Sequence, residues 1–343
     1  QKWDDKKAVA RDPSALEKYR TMLAEQIQYF KVTQYFFFKQ WTELKNYANQ
    51  KGIQIIGDMP IYVAADSVEV WTKPELFQLD EERNPLFVAG VPADQFSATG
   101  QLWGNPLYAW EEHKKQGYAW WIHRIEESFK IYDVLRIDHF KGFSDYWQVD
   151  GKAEVAKDGS WQPGPGYDLF KAVKEQLGDL PIIAEDLGNI DDKARKLLTD
   201  CNYPGMKILQ FGFEDVSGES LDSPHYCIPH SIVYTGTHDN DVTNGWYNSL
   251  TEQQQQYIND YTHRHEDESI CQAMIRQLFA TVSNTAIATM QDVLDLPASS
   301  RMNVPSTIGG NWQWRMQQSD LTQDKKDFLA KMTTLYQRAN QEK

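Results

Sequence analysis

The stretch that most constrains this chain is Val134-Leu-Arg-Ile-Asp138-His-Phe-Lys-Gly142. An apolar run over 131–137, interrupted only by Asp133 and Arg136, delivers Asp138 and His139 and stops at Gly142. Such a run reads as a buried parallel strand with polar groups at its C-terminal end. Two further segments have the same form: Pro181-Ile-Ile-Ala-Glu185-Asp186-Leu-Gly188 and Ser231-Ile-Val-Tyr-Thr-Gly-Thr-His238-Asp239-Asn-Asp241. In a (β/α) barrel the C-terminal strand ends form the catalytic face. Three strands that end in acids predict one pocket receiving Asp138, Glu185 and Asp239.

Six strand-like segments alternate with helical patterns: 53–57, 131–137, 181–184, 206–210, 231–235 and 285–289. The alternation predicts an α/β fold, a (β/α)8 TIM-type barrel with inserted subdomains over its C-terminal face. A closed barrel of this class needs eight strands. The first two are therefore expected to be missing from this chain, which starts at Gln1 in a charged, helix-prone segment, and residues 1–343 read as an incomplete barrel domain. Helical spacing of apolar residues predicts a helix over 15–50, broken near 31–33 and stopped at Gly52. Further helices are expected over 107–130, 168–177, 241–249, 251–264, 267–280 and 321–341, and another to Asp200 from a cap at Asp191 or Asp192. The link from 53–57 to 131–137 is about 74 residues long, beyond an ordinary βα connection. Residues 58–106, dense in Pro, Gly and aromatics, are expected to form an irregular inserted subdomain over the catalytic face.

Composition removes several function classes. A net charge of −14 argues against a nucleic-acid partner, since phosphate binding needs a basic face. No apolar run reaches the length of a membrane span, and no signal peptide is visible. Cys201, Cys227 and Cys271 are scattered without metal-ligand spacing, which reads as reduced thiols in a cytoplasmic protein. A metal site from His139, His238, Asp239 and Asp241 lacks supporting spacing. The 12 tryptophans serve packing first, with sugar stacking open to some of them.

Cleavage of a glycosidic bond needs one carboxylate at the anomeric carbon and one carboxylic acid at the leaving oxygen. Asp138 and Glu185 are the natural pair. Arg136 lies two residues before Asp138 and so shares its face on a strand. A guanidinium there favours the carboxylate form that a nucleophile requires. Glu185 follows Ile182-Ile183-Ala184, and partial burial there would raise its pKa for acid/base work. Asp239 would grip sugar hydroxyls beside His238. A lone acid after a strand is more often a helix cap; three in succession, one with an arginine partner, shift that balance.

At this point the residues become specific. Gly57-Asp-Met-Pro-Ile-Tyr-Val63, Arg136-Ile-Asp-His-Phe140, Ile183-Ala-Glu-Asp-Leu-Gly188 and Gly236-Thr-His-Asp-Asn-Asp241 stand in order as four blocks. Two longer signatures join them: Gly90-Val-Pro-Ala-Asp-Gln-Phe-Ser-Ala-Thr-Gly-Gln-Leu-Trp-Gly-Asn-Pro-Leu-Tyr108, and Arg301-Met-Asn-Val-Pro-Ser-Thr with Asn311-Trp-Gln-Trp-Arg315. Together they resemble the amylomaltase family, the 4-α-glucanotransferases or disproportionating enzymes related to the α-amylase clan. The likeness runs from about Gly52 to Arg315. It departs at Pro305-Ser306, where many relatives read Pro-Gly, and at the N-terminus, where the family carries a longer region.

The resemblance implies roles. Asp138 would be the nucleophile, Glu185 the general acid/base and Asp239 the stabiliser of the distorted sugar. Asp58, Arg136, His139 and His238 would line the donor subsite. Asp94, Gln101, Trp103 and Asn105 would guide the acceptor chain, Phe211 would be a stacking platform, and Asn303 would belong to a substrate-facing loop. The implied partners are α-1,4-glucans, namely maltose and maltooligosaccharides, with glucose as an acceptor; no cofactor is implied. Residues 90–108 would hold a sugar acceptor and exclude water. The open barrel edge would be covered by a second copy of the chain, by the N-terminal piece, or by rearrangement. The alternatives to a transferase are an α-glucan hydrolase of the same clan and an inactive glucan-binding fragment.

Overall fold

A computed structural model describes residues 3–93, 99–188 and 190–339 of the chain. The chain divides into two units, Gln1–Tyr203 and Pro204–Lys343.

In chain order the first unit contains β1 (Ile56–Met59), β2 (Phe87–Val91), β3 (Gln101–Pro106), β4 (Val134–Ile137), β5 (Asp145–Asp150), β6 (Ser160–Pro163) and β7 (Ile182–Ala184). Strands β1, β4 and β7 form a parallel sheet with β4 in the middle. The middle place fits the burial: Leu135, Arg136 and Ile137 are all buried, as a strand covered on both faces requires. The register sets Asp58 beside Arg136 and Ile137 beside Ala184. Helix Ala119–Ile131 buries Trp121 and Ile125, and helix Tyr167–Leu177 buries Leu169, Phe170 and Val173, all in the same core.

Part of the stretch expected to be irregular is regular. Strands β3, β2, β5 and β6 make an antiparallel sheet in that order, so 58–106 contributes two strands and pairs with a segment beyond β4. The glycines that signal a loop have another cause here. A Cβ on Gly90 would stand 2.5 Å from the carbonyl oxygen of Gln101, and the register slips between Val88 and Gly90. Glycine is needed where a bulge brings two backbones together.

The helical expectations shift in detail. The 15–50 pattern becomes Pro13–Met22 and Ala24–Gln50, broken at Leu23 rather than near 31–33. The 107–130 pattern splits into Trp110–Lys115 and Ala119–Ile131, because Gly117 and Tyr118 turn with φ of +62° and +58°. Helix Ala24–Gln50 buries none of its residues, and Tyr29, Phe30, Phe36 and Phe37 are exposed. It is tied to the unit through polar groups: the Trp41 indole donates to the Ile131 carbonyl at 2.8 Å and the Lys45 ammonium to the Tyr132 carbonyl at 2.8 Å.

The second unit holds β8 (Gly205–Ile208), β9 (Ser231–Tyr234) and β10 (Thr285–Ile287), parallel with β9 central. Helices Glu252–Thr262 and Ile270–Ala280 each begin with a capping box, at Thr251 and Ser269, which satisfies their first free amides. Strand β8 ends at Ile208, two residues short of the 206–210 run, and the chain turns at once into helix Leu209–Glu214, which carries Phe211. Both units are α/β, with parallel strands linked through helices. Among the described residues no helix is long and apolar enough to cross a membrane.

Candidate active site

The end of β4 builds the first half of the site. Arg136 is buried, and its Nη1 donates to Asp58 at 2.6 Å and to Asp138 at 2.8 Å. One guanidinium thus joins the ends of two neighbouring strands. The alternation of a strand explains why Arg136 and Asp138 share a face, and the parallel register brings Asp58 alongside. Burial opposes the charge on Arg136, but Asp58 and Asp138 more than offset it and raise its pKa. The side chains of Asp58 and Asp138 keep 40% and 41% exposure, so the cation is sealed while its partners face outward.

Glu185 follows β7 directly. Its backbone extends the ladder, donating to the Ile137 carbonyl at 3.0 Å and accepting from the Phe140 amide at 3.1 Å. Its carboxylate accepts from the backbone N–H of His139 at 2.7 Å and of Leu187 at 2.8 Å. Burial and then the nearby Asp138 push its pKa up to about 7, against the opposing pull of Arg136 and the two amides. The two acids therefore sit in contrasting surroundings, one on a guanidinium and the other desolvated beneath its own turn. That contrast is the usual origin of separate acid and nucleophile roles.

Asp239 follows β9 in the second unit. Its Oδ1 accepts from the Asn303 amide at 2.7 Å, its carbonyl accepts from Arg301 at 2.7 Å, and its Oδ2 lies 3.3 Å from His238 Nε2. The His238 ring in turn rests 5.0 Å from that of Trp312. Asn303, expected on a substrate-facing loop, is thus bound to a candidate site acid. Arg301 and Trp312 receive no role from the sequence, although both stand in the C-terminal signature.

The remaining candidates divide. Trp103 is 36% exposed and meets the His139 ring edge-on at 4.8 Å. Gln101 accepts from the Trp103 indole at 3.3 Å. Asn105 donates to the Val63 carbonyl at 3.0 Å and so fastens β3 to the turn after β1. Phe211 is partly buried. Asp94 lies outside the described residues.

Known proteins resemble this chain over nearly its whole length. Residues 1–322 match the family model described as 4-alpha-glucanotransferase. The 4-alpha-glucanotransferase of Streptococcus pneumoniae is 53% identical over 340 residues, covering 99% of this chain and 67% of the relative. That of Thermus thermophilus is 43% identical over 320 residues, covering 91% and 64%. The amylomaltase from Streptococcus agalactiae, solved in complex with acarbose, superposes with a TM-score of 0.97 at 59% identity, covering 99% of this chain and 68% of that one. The chain spans about two thirds of the length of these relatives.

Proposed function

The chain belongs to the 4-α-glucanotransferase family, and from that premise we propose a retaining double displacement on α-1,4-glucans with Asp138 as nucleophile and Glu185 as acid/base. Asp138 attacks C1 of an α-1,4-linked glucose while Glu185 protonates the departing glucan. The 4-hydroxyl of a glucan or glucose acceptor then attacks the glycosyl-enzyme, giving its proton to the same Glu185. Two inversions retain the α configuration. The observation that carries this reading is the contrast between the two acids, with Glu185 raised to about 7 beside an Asp138 held by Arg136. An acid near neutrality protonates the leaving oxygen and takes a proton back within one cycle.

Asp239, held by Asn303 and His238, suits a grip on sugar hydroxyls, and Asp58 acts through Arg136. Residues 90–108, which include Gln101, Trp103 and Asn105, are assigned to the acceptor, favouring transfer over hydrolysis by keeping water out. The free thiols of Cys201, Cys227 and Cys271 support a reducing compartment, the cytoplasm. The test is incubation with maltotriose, products resolved by chain length, beside Asp138→Asn. A ladder of longer and shorter glucans that vanishes in the variant is expected. Glucose and maltose alone would overturn transfer in favour of hydrolysis, and binding without products would make the chain a glucan-binding fragment.

A further inference from the structure

We propose that a cleft built on the turns after Asp138 and Glu185 is a further glucan-binding subsite, with Trp161 as the platform for a sugar ring and the Lys141–Asp191 pair as partners for its hydroxyls. The identification of the sugar as an α-1,4-glucan rests on the proposed function; its character as a neutral polyol comes from the cleft itself.

The cleft holds about 270 Å³ and is lined by Lys141, Asp145, Trp161, Asp191 and Lys193. Their places follow from the strands. Lys141 lies in the turn Phe140–Phe143, just past Asp138. Asp191 caps the helix Asp192–Cys201 that follows Glu185, accepting from the Ala194 amide at 2.9 Å. Asp145 opens β5, and Trp161 lies in β6. The strand ends that carry Asp138 and Glu185 therefore lead directly into this cleft.

Two tryptophans stand opposite each other in the β5–β6 ladder, in different surroundings. Trp147 is buried, and its indole N–H donates to the Ala156 carbonyl at 2.8 Å. Trp161 meets that ring at a steep angle, centroids 5.2 Å apart, yet keeps 44% exposure. Packing accounts for the first ring and not for the second. A single apolar side chain on open surface needs no explanation. This one lines a hollow where charged side chains converge, which is the arrangement of a ligand site.

The charges specify the ligand. The Lys141 side chain is only 11% exposed, a burial that lysine tolerates when it is paired. Its ammonium donates to Asp191 Oδ2 at 2.6 Å and lies 4.8 Å from the centre of the Trp161 ring. That hydrogen bond holds the Asp191 carboxyl below the usual range, so it is a carboxylate near neutral pH. Lys193 stands 3.4 Å from Asp145. Two lysines matched by two aspartates repel an anion and a cation alike. A sugar suits both kinds of group, because each hydroxyl can donate to a carboxylate and accept from an ammonium. The Lys141–Asp191 bond leaves further N–H groups on one partner and further lone pairs on the other. The apolar face of a pyranose is matched by the aromatic ring.

The experiment titrates the Asp138→Asn chain, which is expected to leave the probe intact, with maltoheptaose. The Trp161 indole N–H signal is assigned in 1H–15N spectra by its loss in Trp161→Phe. A saturable shift of that signal is expected, together with nuclear Overhauser contacts between the Trp161 ring and sugar protons. Adding Lys141→Met is expected to raise the Kd read at Trp161 by roughly 10-fold, the scale of one hydrogen bond to a charged group. Inorganic phosphate and cellohexaose, a β-1,4 chain, are expected to leave the signal in place. Absence of Trp161–sugar contacts, a Kd unchanged by Lys141→Met, or a saturable shift with phosphate overturns the proposal. Cellohexaose binding as tightly as maltoheptaose overturns the α-glucan identity. Should Lys141→Met not fold, the Trp161–sugar contacts decide alone. They are read without turnover, so a wild-type chain that builds no glucan ladder counts against the proposed function and not against this site.

Discussion

Strands β4 and β7 lie side by side in one sheet, and each ends in an acid, yet the sheet treats the two ends differently. At the end of β4, Asp138 meets a cation that it shares with Asp58, and its side chain keeps 41% exposure. At the end of β7, two backbone amides hold the Glu185 oxygens, His139 from beyond β4 and Leu187 from its own turn. A shared guanidinium and a pair of amides both bind carboxylates, but burial decides the outcome for Glu185 and leaves it near neutrality. The lesson is that two adjacent strand ends can carry two acids in different surroundings without any special residue beyond Arg136.

The comparison breaks most severely when the β4 end is silenced. Asp138→Asn is expected to lower kcat for maltotriose disproportionation by at least about 10⁴-fold, in line with nucleophile deletions elsewhere. Changing the β7 end is gentler: Glu185→Gln is expected to cost about 10²- to 10⁴-fold, the usual weight of a general acid. It should also flatten the decline of kcat/KM as pH rises through about 7, where the wild-type acid loses its proton.

Arg136→Lys sharpens the contrast further. Lysine keeps the charge but as a point charge on a different stem, and it does not reproduce the planar guanidinium whose Nη1 reaches both Asp58 and Asp138. Transfer is expected to fall by roughly 10²-fold in kcat for maltotriose disproportionation, the scale of a misplaced catalytic group. A smaller effect appears in stability. The folded pKa of Glu185 lies above its ordinary 4.5 at about 7, so the folded chain binds more protons between those values and loses stability as pH rises through that window. Glu185→Gln is therefore expected to raise the unfolding free energy by about 1–2 kcal/mol at pH 8, with the gain vanishing below pH about 4.5. Urea titrations at both pH values check this. The smallest change expected is in Trp103→Ala, a several-fold rise in hydrolysis relative to transfer by product analysis.

Much of this is legible in the sequence because burial on both faces writes a continuous apolar run, as in β4, β7 and β9. All six runs form parallel strands, and the acids that end three of them stand just past β4, β7 and β9. Arg136 is readable from the two-residue period of a strand. The N–H groups of His139 and Leu187 are not, since a backbone donor carries no residue signature. Strands β2 and β3 are hidden for a related reason: their Gly and Pro residues mark close approach and bulges as well as loops. Helix Ala24–Gln50 shows the opposite limit. Its aromatic spacing predicts a helix correctly, but spacing states only that a face is apolar, and Phe36 and Phe37 on that face are exposed.

The register between β1 and β4 has a consequence in time. Asp58 and Arg136 are 78 positions apart in sequence, although they meet at 2.6 Å. At roughly 5–20 residues per second of synthesis, Asp58 is made about 4–16 seconds before its cation. Glu185 arrives 47 residues after Asp138, and its partner amide at His139 waits for it in turn. The charge arrangement of the site is thus assembled late and from distant parts, and a nascent chain that pauses before residue 136 carries its first acid with no counter-charge.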